Sequence, residues 1–178
     1  SDLKDLGVHT EMLADSYVDM YAAGRITGQR KAIDRGKMVY TFAMGSQKLY
    51  DFLDDNPAAA IFPVRYTNDP AVIARNPKVV AINNAVEIDL FTQVSSESAG
   101  ARQISGTGGQ LDFMLGAYGS EGGKGLICIN STFKRKDGTT GSRIVPTLSA
   151  GTIVTCPRSI VHYVVTEFGC AQMKAKST

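Results

Sequence analysis

Short apolar runs alternate with amphipathic stretches along the first part of the chain. Residues 10–23 place apolar side chains at helical spacing, with Thr10 in position to cap a helix and Gly24 to end it. The apolar run 38–44 is typical of a buried strand. Residues 47–55 return to helical spacing after a Gly-Ser turn. The pattern therefore predicts a strand between two helices.

The same alternation continues further along the chain. Residues 59–64 predict a second strand. Residues 69–77 begin with Asp-Pro and end in proline, which predicts a short helix. Residues 79–88 predict a third strand, and residues 89–94 are expected to continue it in extended form.

Strand-like segments dominate the last third of the chain. A Gly-rich turn at 105–110 precedes a helical stretch, and residues 125–129 predict another strand. Three β-rich segments with turns between them follow, namely RIVPTL, GTIVTC and VHYVVTEF. The sequence therefore predicts an α/β fold with a mainly parallel open sheet flanked by helices, and antiparallel strands in the last third.

Length, composition and charge narrow the class of protein. The chain has 178 residues, 43% of them hydrophobic and 20% charged, so we expect residues 1–178 to form a single domain. The net charge is +2 and no broad basic face stands out, which argues against nucleic-acid binding. The cations of FKRKDG (133–138) precede a Gly-containing turn, which predicts a solvated hairpin tip.

The cysteines and histidines show no spacing typical of metal ligands. Cys128 and Cys156 lie in apolar runs, which predicts buried, reduced thiols and a cytoplasmic location. His9 and His162 are far apart in the sequence, so no structural metal is expected. No signal peptide or membrane-spanning apolar run stands out, so no membrane partner is expected.

The segment SGTGGQLDF is the most prominent chemical feature. Gly106, Gly108 and Gly109 let the backbone approach a ligand closely, and successive N–H groups ahead of a helix form a nest for an oxyanion or a phosphate. The segment is neither GxGxxG nor a P-loop. From composition alone, a tight strand-to-helix turn explains it equally well.

Three polar side chains are further candidates, and each also has a structural explanation. Glu11 falls in the first turn of the predicted helix, where the helix dipole favours a carboxylate. Asn68 precedes Asp-Pro, where asparagine commonly caps or turns the chain. Glu87 lies in an apolar strand, where it needs a partner or must point out of the sheet. In isolation, the structural explanations are favoured.

Several motifs in a fixed order favour functional roles for these residues, because together the motifs resemble a known family. LGVHTEMLAD (6–15), NNAVEIDL (83–90) and SGTGGQLDF (105–113) resemble the C-terminal domain of the acetyl-CoA hydrolase/transferase family, within its 4-hydroxybutyrate and butyrate:acetate CoA-transferase branch. The resemblance runs from about Leu3 to Thr178. It implies that the family's N-terminal domain and its usual helix after the last residue are absent from this chain.

The resemblance also implies roles for particular residues. By similarity to the family, Glu11 is the catalytic glutamate, while Asn68 and the backbone N–H of Gly109 line the oxyanion site. Glu87 is the alternative carboxylate and is expected to be structural. The residues expected to contact CoA are Gly106, Gly108, Gly109 and Gln110.

The function implied by the resemblance is that of an acyl-CoA:carboxylate CoA-transferase, working by a ping-pong route through a glutamyl-CoA thioester on Glu11. Its substrates would be acyl-CoA and small carboxylates, with no resident cofactor. The family's N-terminal domain would be its partner, and a homo-oligomer is expected. An acyl-CoA hydrolase at the same residues, a non-catalytic CoA- or nucleotide-binding module and a purely structural α/β domain remain alternatives.

Overall fold

The computed structural model of the protein describes residues 3–176. The chain divides after Pro77 into two compact units, of which the second begins at Lys78. Whether residues 1–178 fold as a single domain stays a prediction. The elements of the first unit are β1 (Met12–Leu13), α1 (Asp15–Ala22), β2 (Met38–Tyr40), β3 (Phe42–Ala43), α2 (Gln47–Leu53), β4 (Ala59–Ile61), α3 (Val64–Thr67) and α4 (Pro70–Ile73).

Three extended segments lie side by side in the first unit, all parallel. β2 pairs with β4, and β1 pairs with β3. His9 bridges Val39, and the Phe62 N–H donates to the Tyr40 carbonyl (2.9 Å). The segment that carries β2 and β3 is therefore central. One cluster of buried hydrophobic residues in this unit consists of Val8, Leu13, Val18, Ile26, Met38, Tyr40 and Leu49.

The helix predicted over residues 10–23 is only partly present. α1 begins at Asp15, and Gly24 ends it with φ of 68°, as predicted. Met12–Leu13 instead pair with β3. Thr10 caps no helix, since its hydroxyl donates to the carbonyl two residues on (3.1 Å). Pairing with a distant strand thus overrides the local helical spacing.

Other predictions for the first unit are confirmed with shifted bounds. The strand over 38–44 is interrupted at Thr41, and α2 lies within the predicted 47–55. The strand over 59–64 is shorter than predicted, because α3 begins at Val64. The sequence did not indicate α3, since four residues are too few to show a helical period.

The second unit contains the larger sheet. Its elements, within residues 78–176, are β5 (Val80–Asn84), β6 (Glu87–Asp89), β7 (Val94–Ser95), β8 (Ser98–Ala99), β9 (Arg102–Gln103), α5 (Gln110–Gly119), β10 (Lys124–Cys128), β11 (Thr132–Lys134), β12 (Thr140–Ser142), β13 (Ile144–Val145), a 3₁₀ turn (Arg158–Ile160), β14 (Tyr163–Thr166) and β15 (Gly169–Gln172).

Four of these strands form a sheet in the order β15-β14-β10-β5. β5, β10 and β14 are parallel, and β15 is an antiparallel edge strand. α5 packs closely on one face, since a Cβ added at Gly125 of β10 would come within 2.6 Å of Met114 Cε. Ala81, Ile127 and Val164 complete this buried layer.

The strand predicted over residues 79–88 is divided into β5 and β6. Residues 89–94 do not continue it in extended form. They make a turn in which the Asp89 carboxylate accepts hydrogen bonds from the N–H groups two and four residues on (3.0 and 2.9 Å), and Thr92 has φ of 67°. β6 then pairs antiparallel with β7. A side chain that bonds its own turn explains the departure.

Towards the end of the chain, β13 and β14 confirm two of the three β-rich segments. The third, GTIVTC, forms no strand, and only an isolated bridge joins its Cys156 to Val94. FKRKDG lies at the turn between β11 and β12, as predicted. All three cysteines are free, and Cys156 is buried, while Cys128 is half-buried and Cys170 is exposed.

The predicted fold class is confirmed. Parallel pairs link β5, β10 and β14 as well as the strands of the first unit. Antiparallel pairs join β11 to β12 and β14 to β15 in the last third. Two further antiparallel pairs, β6 with β7 and β8 with β9, lie earlier than the sequence indicated.

Candidate active site

Two backbone hydrogen bonds to the neighbouring segment hold Glu11 in place. Its carbonyl accepts from the N–H groups of Thr41 and Phe42 (3.0 and 3.1 Å). The prediction that Glu11 lies in the first turn of a helix is wrong, because α1 begins four residues later. The helix dipole therefore does not explain a carboxylate at this position. Asp15 occupies the first turn of α1 and accepts a hydrogen bond from the Ser46 hydroxyl (2.8 Å).

The side chain of Glu11 is paired with Asn68. The Asn68 Nδ2 amide donates a hydrogen bond to Glu11 Oε2. Asn68 is buried, with 8% of its surface exposed, and stands at the C-cap of α3. Its own N–H donates to the Val64 carbonyl within the short α3 (2.8 Å). Asn68 does lie where the chain turns, but the side chain that caps α4 is that of Asp69, and the Asn68 amide is directed at Glu11.

The Glu11–Asn68 pair has spare hydrogen-bonding capacity. Asn68 Oδ1 is buried and has no hydrogen-bond partner among residues 3–176. A primary amide also carries two N–H donors, of which one is directed at Glu11 Oε2. The charge on a carboxylate changes when it attacks a carbonyl carbon. A donor bonded to that carboxylate therefore lies next to the atoms whose charge changes. The arrangement suits nucleophilic chemistry at Glu11.

His9 is a neighbour of this pair that the sequence did not single out. Its Nε2–H donates to the carbonyl of Thr67, the residue before Asn68 (2.8 Å). Burial lowers the pKa of His9, and the Lys31 ammonium lowers it further, while the Thr67 carbonyl and Asp34 oppose the shift. His9 and Glu11 are two residues apart in an extended segment, so the period of a strand was the available indication.

The Gly-rich turn lies in the second unit and has the predicted form. Gly108 has φ of 58°, a region that favours glycine, and Gly109 is the N-cap of α5. No side chain caps this helix. Hydrogen bonds hold the start of the turn, because the N–H groups of Ile104 and Ser105 donate to the Glu97 carbonyl (2.8 and 3.2 Å). Backbone N–H groups at an uncapped helix start suit an oxyanion.

Exposure differs along the turn. Gly106 and Gly108 are exposed, whereas Gly109 and Gln110 are buried. Gln110 Nε2 has no hydrogen-bond partner among the residues that the structure describes. Two of the four residues expected to contact CoA are therefore open to solvent within this chain.

Glu87, the alternative carboxylate, also lies in the second unit. It begins β6 and pairs with Ser95 through the backbone. The sequence predicted a partnered or outward-pointing side chain, but its Oε2 is buried and has no hydrogen-bond partner in the described part of the chain.

A cavity of about 620 Å³ opens at the carboxyl ends of β5, β10 and β14. In parallel α/β sheets this edge is the usual place for a ligand. None of the predicted site residues lines it. Its lining residues are Asn84, Ala85, Val86, Cys128, Ile129, Asn130, Arg143, Val165, Thr166 and Glu167.

The structure thus brings together Glu11 and Asn68, both in the first unit, and places Gly106, Gly108, Gly109 and Gln110 in one turn of the second unit. The joint site of Glu11, Asn68 and Gly109 stays a prediction. Over residues 3–176, no three His, Cys, Asp or Glu side chains form a group suited to a metal ion. No helix in the same range has the length and apolar character needed to cross a membrane.

Comparison with known proteins gives a consistent result. The family model of the acetyl-CoA hydrolase/transferase C-terminal domain matches residues 45–178. The butyryl-CoA:acetate CoA-transferase of Anaerostipes caccae is 56% identical over 177 residues, which cover 99% of this chain and 40% of that protein. The 4-hydroxybutyrate coenzyme A transferase of Clostridium kluyveri is 48% identical over 174 residues, 98% of this chain and 40% of that protein.

The solved structures agree with the sequence relatives. The crystal structure of RipA from Yersinia pestis superposes with a TM-score of 0.89 at 47% identity, over 99% of this chain and 39% of that chain. An acetyl-CoA hydrolase of Kluyveromyces lactis is more distant, at 29% identity over 120 residues, 66% of this chain and 22% of that protein. The chain spans about 40% of the length of the transferases that it matches.

Proposed function

Because the chain belongs to the acetyl-CoA hydrolase/transferase family, we propose that it supplies the catalytic carboxylate of an acyl-CoA:carboxylate CoA-transferase. Glu11 is the proposed nucleophile. The single observation that carries this assignment is the hydrogen bond from the buried Asn68 amide to the Glu11 carboxylate. Glu11 is half-buried and its donor is buried, so the hydrogen bond is held away from bulk water.

The proposed chemistry keeps the energy of the thioester in covalent form. A Glu11 carboxylate oxygen attacks the acyl-CoA carbonyl carbon, the C–S bond breaks, and CoA leaves as the thiolate. The thiolate then attacks the Glu11 carbonyl carbon of the mixed anhydride, releasing the first carboxylate and leaving a glutamyl-CoA thioester. An acceptor carboxylate reverses the two steps and departs as the new acyl-CoA.

Each step passes through a tetrahedral oxyanion that needs hydrogen-bond donors. We assign this role to the Asn68 amide and the Gly109 N–H, each contributing about 3–4 kcal/mol by analogy with the loss of one oxyanion-hole donor. Gly106, Gly108, Gly109 and Gln110 would contact CoA. The exposure of Gly106 and Gly108 is consistent with a turn that receives a ligand from outside the chain.

The substrate class follows from the relatives. Proteins named as butyryl-CoA:acetate and 4-hydroxybutyrate CoA-transferases share 56% and 48% of their aligned residues with this chain. We therefore propose short acyl-CoA donors and small carboxylate acceptors such as acetate, butyrate or 4-hydroxybutyrate. CoA would be a substrate and not a resident cofactor.

The proposed partner is the family's N-terminal domain, because the matched transferases are more than twice as long as this chain. A homo-oligomer is also proposed, on the family resemblance alone. On this proposal the chain alone is inactive or nearly so. A cytoplasmic location is proposed on the ground that all three thiols are free, as a reducing compartment favours.

Hydrolysis is the second candidate function, since one relative is named an acetyl-CoA hydrolase. It would use the same residues and admit water to the glutamyl-CoA thioester. The test is to incubate the full-length protein with acyl-CoA, with and without acetate, and to measure both free CoA and new acyl-CoA. Transfer predicts new acyl-CoA only with acceptor and little free CoA. CoA release that ignores the acceptor would support hydrolysis, and binding without turnover would support a non-catalytic module.

A further inference from the structure

The Glu11–Asn68 hydrogen bond is one of two that join the same two short segments of the chain. On one segment stand His9 and Glu11, two residues apart. On the other stand Thr67 and Asn68, adjacent at the end of α3. His9 Nε2–H donates to the Thr67 carbonyl at 2.8 Å, and the Asn68 amide donates to Glu11. The hydrogen bond from His9 therefore holds the backbone at Thr67, and the side chain of the next residue, Asn68, makes the other hydrogen bond.

The end of α3 needs a hydrogen-bond donor from outside the helix. It is four residues long, too short to hold its own end by helical hydrogen bonds alone. Carbonyl groups in the last turn of a helix lack helical partners and must find others. Thr67 is fully buried, so water cannot serve its carbonyl. His9 supplies the donor, because its Nε2 lies 2.8 Å from the Thr67 carbonyl oxygen.

The side chain of Asn68 makes few contacts of its own. Its Oδ1 has no partner in the described residues, so only the Glu11 contact holds the amide group. The chain beyond it is fixed separately, since the Asp69 carboxylate accepts from the Ala71 N–H (2.8 Å) and begins α4. A displacement of the Thr67 backbone would therefore displace Asn68.

We propose that His9 is a positioning residue for the reaction, which sets the place of the Asn68 amide against Glu11 through its bond to the Thr67 carbonyl. This inference rests on the proposed function, because it assumes that Glu11 is the nucleophile. His9 touches no substrate in this account. It acts on the rate through Asn68 alone.

Two amide substitutions make a matched test in the full-length enzyme. His9→Gln keeps an N–H near the position of Nε2, whereas the shorter His9→Asn places its amide near Nδ1, out of reach of Thr67. We expect His9→Asn to lower kcat about tenfold with KM changed less than about twofold, and His9→Gln to stay within about threefold of the parent enzyme. Equal losses in the two variants would overturn the proposal.

A double-mutant cycle separates positioning from general support of the fold. If His9 acts through Asn68, His9→Asn should have little further effect on kcat in the Asn68→Ala enzyme. Fully multiplicative losses would overturn the inference. The tautomer offers a further test: ¹⁵N NMR of labelled parent enzyme, with His9 assigned from the His9→Gln spectrum, should show Nε2 protonated. An Nδ1-protonated His9 would contradict the proposal.

The outcomes also distinguish this inference from the function on which it rests. If Glu11→Gln retains turnover, the proposed nucleophile is wrong and the effect of His9 on kcat loses its basis. If Glu11→Gln is inactive while His9→Asn equals the parent enzyme, the function stands and only the positioning role fails.

Discussion

The Asn68 amide donates a hydrogen bond to the Glu11 carboxylate across a separation of 57 residues in the sequence. Glu11 lies on a segment held by strand pairing, and Asn68 lies at the end of a four-residue helix. The contact joins the two residues of the first unit for which the family resemblance implies catalytic roles.

Glu11→Gln should abolish transfer in the full-length enzyme, lowering kcat by about 10⁴-fold or more, because an amide cannot form the anhydride. CoA affinity should be retained. Glu11→Asp keeps a carboxylate but withdraws it by about one methylene, and we expect about 10²-fold loss. Steady-state kinetics with acyl-CoA and acetate measure both. A Gln variant as active as the Asp variant would contradict the assignment.

Asn68→Ala should lower kcat by about 10²–10³-fold with little change in KM, because it removes a donor needed mainly in the transition state. Asn56→Ala is the matched control. Asn56 also lies in the first unit and bonds the Phe52 carbonyl and the Ala58 N–H (both 2.9 Å), remote from the proposed chemistry. It should lower Tm and leave kcat unchanged. Similar kcat values for the two variants would argue against a catalytic Asn68.

Gly108→Ala should weaken catalysis by distorting the turn before α5. Its φ of 58° is a left-handed conformation that costs an alanine about 1–2 kcal/mol. We expect kcat/KM for acyl-CoA to fall about tenfold, since small misplacements of a site loop are costly. Gly138→Ala carries comparable strain (φ 84°) at a hairpin tip where an added Cβ meets nothing within 4 Å. It should reduce Tm without reducing kcat/KM.

Lys31 should make stability depend on pH in the alkaline range. It is 8% exposed, its ammonium donates to the Val8 and Lys37 carbonyls (3.0 and 2.8 Å), and burial lowers its pKa to about 8, against the opposing effect of Asp34. Between about pH 8 and the pKa of about 10.4 in the unfolded chain, the unfolded state binds the extra proton. Stability from this group therefore rises with pH through that window.

The measurement compares thermal unfolding of the parent protein and Lys31→Met from pH 7 to pH 10. Methionine fills the apolar path of the side chain but does not titrate. The parent should gain stability relative to the variant as pH rises above 8, by at most about 3 kcal/mol. A difference that stays constant would show that Lys31 keeps an ordinary pKa, and one that moves the other way would show that its pKa is raised; either would contradict the prediction.

The sequence predicted best those elements that local chemistry defines. α5 follows a run of glycines, and the hairpin tip in 133–138 contains a glycine at φ 84°, so both were found. Residues 10–23 had helical spacing, but Met12–Leu13 pair with a parallel strand 30 residues away. Asp89 bonded its own turn and ended a strand that apolar composition had extended.

The candidate site was predicted unevenly for a related reason. Family resemblance named Glu11 and Asn68, but no local pattern shows that two residues so far apart in sequence are in contact. α3, which carries Asn68, was missed because it is a single turn, and His9 was considered only as a metal ligand. The buried oxygens of Glu87 and Asn68 that lack partners likewise depend on tertiary packing.

The most direct test of the account is chemical trapping on the full-length enzyme. The enzyme is incubated with acyl-CoA, treated with borohydride and digested, and the peptide containing Glu11 is analysed by mass spectrometry. We predict that the side chain of Glu11 is reduced from a carboxylate to a primary alcohol, and only when acyl-CoA is present. An unmodified Glu11 in an enzyme that is turning over, or a reduced carboxylate at Glu87 instead, would contradict the central claim.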